Sequence, residues 1–283
     1  MKIAIASGKG GTGKTTIATN LAMHIAGLGK EVQYLDCDVE EPNGHIFLKP
    51  DVEKTQAVTV DVPQVDLKKC TGCGKCGEIC QYSAIVHLKD NNVLTFEQLC
   101  HSCGGCMRVC PAEAIKPKPL NIGDIDVGKA GGVDFVSGKL QIGHVRTPSL
   151  IKEVKKYIKN DTPAIVDVPP GTSCPVVEAV KGSDFVLLVT EPTPFGLNDL
   201  KLAVGLVREM DLSFAVAINR YGIGDDQVEK YCTAEDIGII LKLPDDRRIA
   251  EAYSTGRMIV DVLPDYKKDF ASLYENVFQR LKG

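Results

Sequence analysis

Residues 8–15 read GKGGTGKT, directly after the apolar run KIAIA at 2–6 and directly before a helical stretch from 14 to about 28. That order restricts the possible folds more than any other feature of the chain. A glycine-rich turn between a strand and a helix lets successive backbone N–H groups point inward, and the helix start adds its dipole, so the loop is shaped for phosphate oxygens. The string satisfies G-x-x-x-x-G-K-[ST] in the context that motif requires. Gly8, Gly10, Gly11, Thr12 and Gly13, with Thr15 and Thr16, make up the candidate phosphate cradle. Lys14 is placed to reach the β- and γ-phosphates, and the Thr15 hydroxyl to ligate Mg²⁺.

Further apolar runs follow at 32–36 (VQYLD), 164–168 (AIVDV), 185–190 (FVLLVT), 214–219 (FAVAIN) and 239–243 (IILKL). Most are continuously apolar rather than alternating, which points to strands buried on both faces. Segments of helical length separate them. One starts at Thr147-Pro148 and places Ile151, Val154 and Ile158 on one face. Gly27 and Gly29 supply the stop for the first helix. The alternation predicts a doubly wound, mostly parallel α/β sheet.

Cysteine breaks this rhythm. Eight of the eleven cysteines fall between Cys70 and Cys110. An odd number, concentrated in one patch of a long chain, favours metal over a disulfide framework. The patch is an internal duplication: CTGCGKCGEICQYSAI starts at Cys70 and CHSCGGCMRVCPAEAI at Cys100. Such a repeat predicts a small module with two-fold pseudosymmetry. We place it at 61–119, inserted in a discontinuous α/β core of 1–60 and 120–283, with Lys116, Pro117, Lys118 and Pro119 as an exit linker.

The doubled spacing C-x-x-C-x-x-C-x-x-x-C resembles the bacterial ferredoxins, which carry a pair of [4Fe–4S] clusters and exchange the fourth cysteine of each run. That resemblance implies a small α+β fold. It assigns Cys70, Cys73, Cys76 and Cys110 to one cluster and Cys100, Cys103, Cys106 and Cys80 to the other. The proline that usually follows the last cysteine is present as Pro111 and replaced by Gln81 in the first copy. Zinc is the rival ligand, but structural zinc sites use four ligands in two pairs rather than repeated runs of four.

A second lysine, Lys9, opens the glycine loop, and K-G-G-T-G-K-T resembles the deviant Walker A motif of the MinD/ParA/Mrp superfamily, to which the nitrogenase iron protein also belongs. The resemblance implies an ATP-hydrolysing, Mg²⁺-dependent protein that binds ATP and ADP. It would form an ATP-dependent dimer, with itself or with a paralogue, in which Lys9 contacts the nucleotide of the opposite subunit. Lys9, Lys14 and Asp38 are then the catalytic candidates, Asp38 acting on the attacking water. Asp36 and Asp167 would support the Mg²⁺ shell, and Gly171 would sense the γ-phosphate. Asn219 with Arg220, and Pro244 with Asp245, match the two places where that family encloses the adenine. Together the features resemble members of this superfamily that contain an inserted ferredoxin domain.

The remaining features set limits. The formal net charge of −4 argues against a non-specific nucleic-acid binder. No apolar run is long enough to span a bilayer, and the start lacks a signal-peptide pattern, so a cytoplasmic location is the default expectation. The stretch 269–283 is amphipathic, with Phe270, Leu273, Val277 and Leu281 on one face and few basic residues. It is expected to dock on the core rather than bind membrane stably. Cys37 and Cys232 read as ordinary buried thiols. Cys174 sits at the offset of a cluster ligand in the nitrogenase iron protein, but without a partner cysteine it reads as structural. Three functions remain: ATP-gated electron transfer to an unknown redox partner, assembly or delivery of clusters to an acceptor protein, and a positioning switch with sensor clusters.

Overall fold

The computed structural model describes residues 1–88 and 92–281; Lys282 and Gly283, the end of the C-terminal stretch, lie outside the described residues. The chain forms two compact units, one of Met1–Thr55, Ile125–Lys139 and Ile151–Gly283, the other of Gln56–Asp124 and Leu140–Leu150. The strands are β1 (Lys2–Ala6), β2 (Val32–Asp36), β3 (Asp51–Val65), β4 (Ile85–His87), β5 (Val93–Thr95), β6 (Ile115–Ala130), β7 (Val133–Leu140), β8 (Ala164–Asp167), β9 (Phe185–Thr190), β10 (Phe214–Tyr221) and β11 (Ile239–Pro244).

Among the described residues, a nine-stranded sheet runs β11-β10-β9-β1-β8-β2-β7-β6-β3, and β4 pairs with β5 in a separate hairpin. From β11 to β7 every pairing is parallel. The five apolar runs read from the sequence are β2, β8, β9, β10 and β11. β9 has all six residues buried, as a parallel strand covered on both faces requires.

On the first unit the helix Lys14–Gly27 buries Ile17, Leu21 and Ile25. The C-terminal helix Lys267–Arg280 buries Phe270, Leu273 and Val277, each with no exposed surface, in the same core cluster, and Leu281 packs at its margin. Among the described residues no helix is long and apolar enough to cross a membrane.

Two sequence expectations are corrected. The helix Thr147–Lys155 buries Ile151 and Val154 but stops before Ile158. The amides of Lys156, Tyr157 and Ile158 bond three residues back, to Glu153, Val154 and Lys155, so the last turn tightens and the i+4 pattern ends. Residues 116–119 are not a linker but lie within the sixteen-residue strand β6. Pro117 and Pro119 are two apart, so their missing N–H groups face the same edge of the strand. β7 follows β6 through a tight turn and has only eight residues, so it runs alongside the half of β6 nearer the turn. The edge at the prolines therefore needs no donors.

In the second unit the duplicated sequence has duplicated conformation. Gly74 and Gly104 take the left-handed conformation (φ 75° and 70°) and start the short helices Lys75–Ile79 and Gly105–Arg108. Ser83 and Glu113, equivalent in the two copies, both have positive φ (52° and 48°). Their amides bond to the carbonyls of Cys80 and Cys110 at 3.3 and 3.2 Å.

Truncating Phe270 should open a cavity in the first unit's core. Phe270→Ala is expected to cost about 3–5 kcal/mol of stability, read as a lower midpoint in urea denaturation. A loss below about 0.5 kcal/mol would mean the helix does not pack as described.

Candidate functional site

The parallel register decides which side chains meet in the first unit. Asp167 lies opposite Ile5 of β1 and opposite Asp36 of β2, so two carboxylates with no exposed surface stand side by side at the strand ends. Both are held above the usual carboxylate range. Burial is the main cause for each; for Asp36 the next is the Asp167 charge, while for Asp167 the Lys14 ammonium and the Thr15 and Tyr34 hydroxyls pull the other way. Asp36 accepts from the Gly44 amide at 2.9 Å and the Asp38 amide at 3.2 Å. Asp167 Oδ2 accepts from the Tyr34 hydroxyl at 2.9 Å, and its Oδ1 is buried without a partner.

A cavity of about 400 Å³ opens beside this pair, within the usual range for a small-ligand site. It is lined by Gly10, Gly11, Gly13, Lys14, Thr15, Thr16 and Asp38 on one side and by Asn219, Arg220, Pro244 and Asp245 on another. The glycine loop and both segments expected at the adenine are thus brought to one cavity. Gly13 has φ 93°, and a Cβ there would sit 2.3 Å from Asn219 Nδ2, so only glycine suits the position. Asn219 Nδ2 donates to the Thr12 carbonyl at 2.9 Å, tying β10 to the loop. Gly8, Lys9, Thr12, Asp36 and Asp167 do not line the cavity.

Lys9 instead pairs with Glu191 at 3.3 Å, and Arg220 pairs with the other oxygen of the same carboxylate at 3.2 Å. Glu41 and Asn43, from the stretch that continues the Asp36/Asp38 motif in the sequence, also line the cavity, as do Asp246 and Tyr253. Glu191, Asp246 and Tyr253 were not singled out in the sequence and carry no local signal.

The second unit has two cavities in which the cysteines gather. One is lined by Cys70, Cys73, Cys76 and Cys110, the other by Cys80, Cys100, Cys103 and Cys106. Each therefore takes three cysteines from one run and the last from the other. Among the described residues no three His, Cys, Asp or Glu side chains are gathered so as to hold a single metal ion. Backbone amides aim at the sulfurs: Ala84 N–H to Cys80 Sγ at 3.3 Å, its equivalent Ala114 N–H to Cys110 Sγ at 3.4 Å, and Ser102 N–H to Cys100 Sγ at 3.3 Å. Burial raises the Cys80 thiol, but the N–H groups of Tyr82, Ala84, Ile85 and Ser83 more than offset it and the net shift is downward. Cys106 is pushed up to about 11, by burial first and then by Cys100. Cys37 and Cys232 are fully buried, whereas Cys174 is exposed at the start of the helix Cys174–Val180.

Comparisons with known proteins agree with the first unit. A family profile described as the CobQ/CobB/MinD/ParA nucleotide binding domain matches residues 3–259. An uncharacterized protein of Methanocaldococcus jannaschii is 34% identical over 259 residues, covering 90% of each chain. An iron-sulfur cluster carrier protein of Pyrococcus horikoshii is 26% identical, covering 99% of this chain and 86% of its own. The solved structure of the septum site-determining protein MinD with Mg-ADP, from the same organism, superposes with a TM-score of 0.62 at 23% identity, covering 98% of this chain and 95% of its own.

Asp38 gives the site a pH signature. Burial first, then Asp167, Glu41 and Glu40, push its carboxyl up to about 6 against the opposing Lys14. The folded protein keeps this proton through a window, about pH 4 to 6, in which the unfolded chain has lost it, so stability falls as pH rises across that window. Asp38→Asn removes the contribution. In protein free of Mg²⁺ and nucleotide, its stability relative to wild type should improve by about 1–3 kcal/mol between about pH 4 and pH 7, measured by urea denaturation. A difference that does not change with pH would contradict the assignment.

Proposed function

The chain belongs to the CobQ/CobB/MinD/ParA nucleotide-binding domain family, and from that premise we propose a Mg²⁺-dependent ATPase whose nucleotide cycle is coupled to electron transfer through two [4Fe–4S] clusters. The observation that carries this reading is the division of the eight cysteines, three and one, between two cavities. The doubled ferredoxin spacing calls for that exchange. A four-iron cube takes one thiolate at each iron, so its ligands ring a cavity rather than converge on one ion. Backbone N–H groups aimed at Cys80, Cys100 and Cys110 stabilise the thiolate form that such a cluster needs. The four cysteines of each cavity would hold the cluster, which supplies a one-electron couple.

In the nucleotide cavity, the amides of the glycine loop and Lys14 would bind the phosphates, and Asn219, Arg220, Pro244 and Asp245 the base. Thr15 and the unpartnered Asp167 Oδ1 fit a Mg²⁺ ion or its water shell. Bound there, the ion supplies positive charge to the phosphate oxygens. Asp38 lines the same cavity, where it can orient an attacking water. Lys9 lies outside the cavity of its own chain, which suits a role on a partner's nucleotide in a dimer.

Cluster delivery is a second reading, favoured by the relatives described as iron-sulfur cluster carrier proteins. The two differ in fate: delivery moves iron and sulfide to an acceptor, whereas electron transfer leaves them in place.

Protein prepared without oxygen is expected to contain about eight iron and eight sulfide per chain. Cys80→Ala should damage the cluster of Cys100, Cys103 and Cys106 while leaving the other in place, so iron falls to about half. Stoichiometric zinc without sulfide would overturn the cluster reading.

The nucleotide half is tested separately. Lys14→Ala should lose productive ATP binding by at least about tenfold, measured by calorimetry. Lys9→Ala should bind ATP as a monomer and fail to dimerise in light scattering. Normal dimerisation and hydrolysis by Lys9→Ala would remove the trans role of that lysine.

A further inference from the structure

Arg146 is a charged residue that neither half of the proposed function uses. It is 3% exposed. It comes from the segment Leu140–Leu150, outside the duplicated cysteine sequence but part of the same compact unit. Its Nε donates to the Cys100 carbonyl at 2.6 Å, its Nη2 donates to the Glu97 carbonyl, and its Nη1 lies 3.5 Å from His144 Nδ1. These groups accept hydrogen bonds but carry no negative charge. The nearby Glu97 carboxylate is taken by Lys118 at 2.8 Å. Among the described residues no carboxylate forms an ion pair with Arg146.

A guanidinium withdrawn from water without an anion is costly. The neighbouring group able to supply one is the cavity of Cys80, Cys100, Cys103 and Cys106, since Arg146 holds the backbone of Cys100 itself. Four thiolates around a cluster carry net negative charge, and one-electron reduction adds another. A fixed cation beside the site therefore stabilises the reduced form more than the oxidised form and raises the potential.

Among the described residues, no arginine bonds to the carbonyl of Cys70, the equivalent of Cys100 in the other cavity. There Cys70 donates its amide to the Asp66 carbonyl, and Asp66 contributes a carboxylate, bonded to the Lys68 amide at 3.0 Å. Its distinctive polar residue is His87, whose Nε2 is buried without a partner. Asp61 lines the second-run cavity and opposes the trend, but it is exposed and screened by water.

Resting on the two-cluster reading, we propose that Arg146 is the buried counter-ion of the cluster held by Cys80, Cys100, Cys103 and Cys106, and that it makes this cluster the more readily reduced of the two. An electron from a one-electron donor then comes to rest there, and the cluster of Cys70, Cys73, Cys76 and Cys110 is the low-potential partner.

The test uses full-length protein prepared without oxygen, with iron and sulfide counted, and a redox titration followed by electron paramagnetic resonance. Two separate steps are expected. Cys73→Ser, which changes a ligand of the other cluster, should move the lower step and so identify it. Arg146→Gln should lower the reduced-to-oxidised ratio of the upper step about tenfold at a fixed potential, about 59 mV for a one-electron couple. Arg146→Lys, which keeps the charge, should stay within about threefold of wild type. If Arg146→Gln loses iron, retention of both iron and the upper step by Arg146→Lys still supports the counter-ion. Full iron with unmoved potentials in Arg146→Gln overturns the proposal, as does equal loss of iron in both variants. Wild-type protein with no sulfide would instead overturn the cluster reading on which it rests.

Discussion

Two fully buried carboxylates, Asp36 and Asp167, are register partners on adjacent parallel strands, and much of the first unit is arranged around that unfavourable proximity. Like charges cannot be withdrawn from water side by side unless donors or cations answer them. Asp36 takes the amides of Asp38 and Gly44, which fixes the course of the chain after β2 and so the place of Asp38. Asp167 takes the Tyr34 hydroxyl and feels the Lys14 ammonium, linking β8 to β2 and to the start of the first helix. The oxygen left over, Asp167 Oδ1, is buried without a hydrogen-bond partner from the chain. Local conflict of this kind belongs to a binding site, where stability is given up for affinity.

The second unit obeys a different constraint. Its apolar clusters are small: one centres on Cys76, Ile85, Val93 and Ile115, the other on Val62, Ala84 and Cys100. Cysteines make up a substantial part of both. A unit of this size with so little aliphatic core depends on additional cross-links or bound groups. On the two-cluster reading, each cluster joins the two copies of the repeat, because its fourth ligand comes from the opposite run. The clusters would then serve as structure as well as electron carriers. Arg146, held by the carbonyls of Glu97 and Cys100, adds a contact to this unit from a distant part of the sequence.

The parallel strands were legible because each is a short apolar run of the kind that a doubly buried strand requires. β3, β6 and β7 were not. β3 is mostly exposed over its first seven residues and carries Glu53, Lys54 and Gln56, so no apolar run marks it. β6 contains two prolines and two glycines, which locally signal a turn or linker; the arrangement of its neighbours leaves the proline edge free of bonding demands. Ile158 fitted the helical period, but the helix Thr147–Lys155 had already tightened into its final turn.

The sequence alone determined the features that depend on near neighbours in the chain. The spacing at 8–15 specifies a strand, a glycine turn and a helix, because the chemistry of that loop is local. The duplicated spacings specify repeated geometry, seen in the matching φ values at Gly74 and Gly104 and at Ser83 and Glu113. Tertiary structure alone decided the contacts between residues far apart: Asp36 beside Asp167, Asn219 on the Thr12 carbonyl, Glu191 between Lys9 and Arg220, and Arg146 on Cys100. No periodicity encodes these pairs. They arise from strand register and from buried polar groups, each of which must find a partner wherever the folded chain brings one within reach.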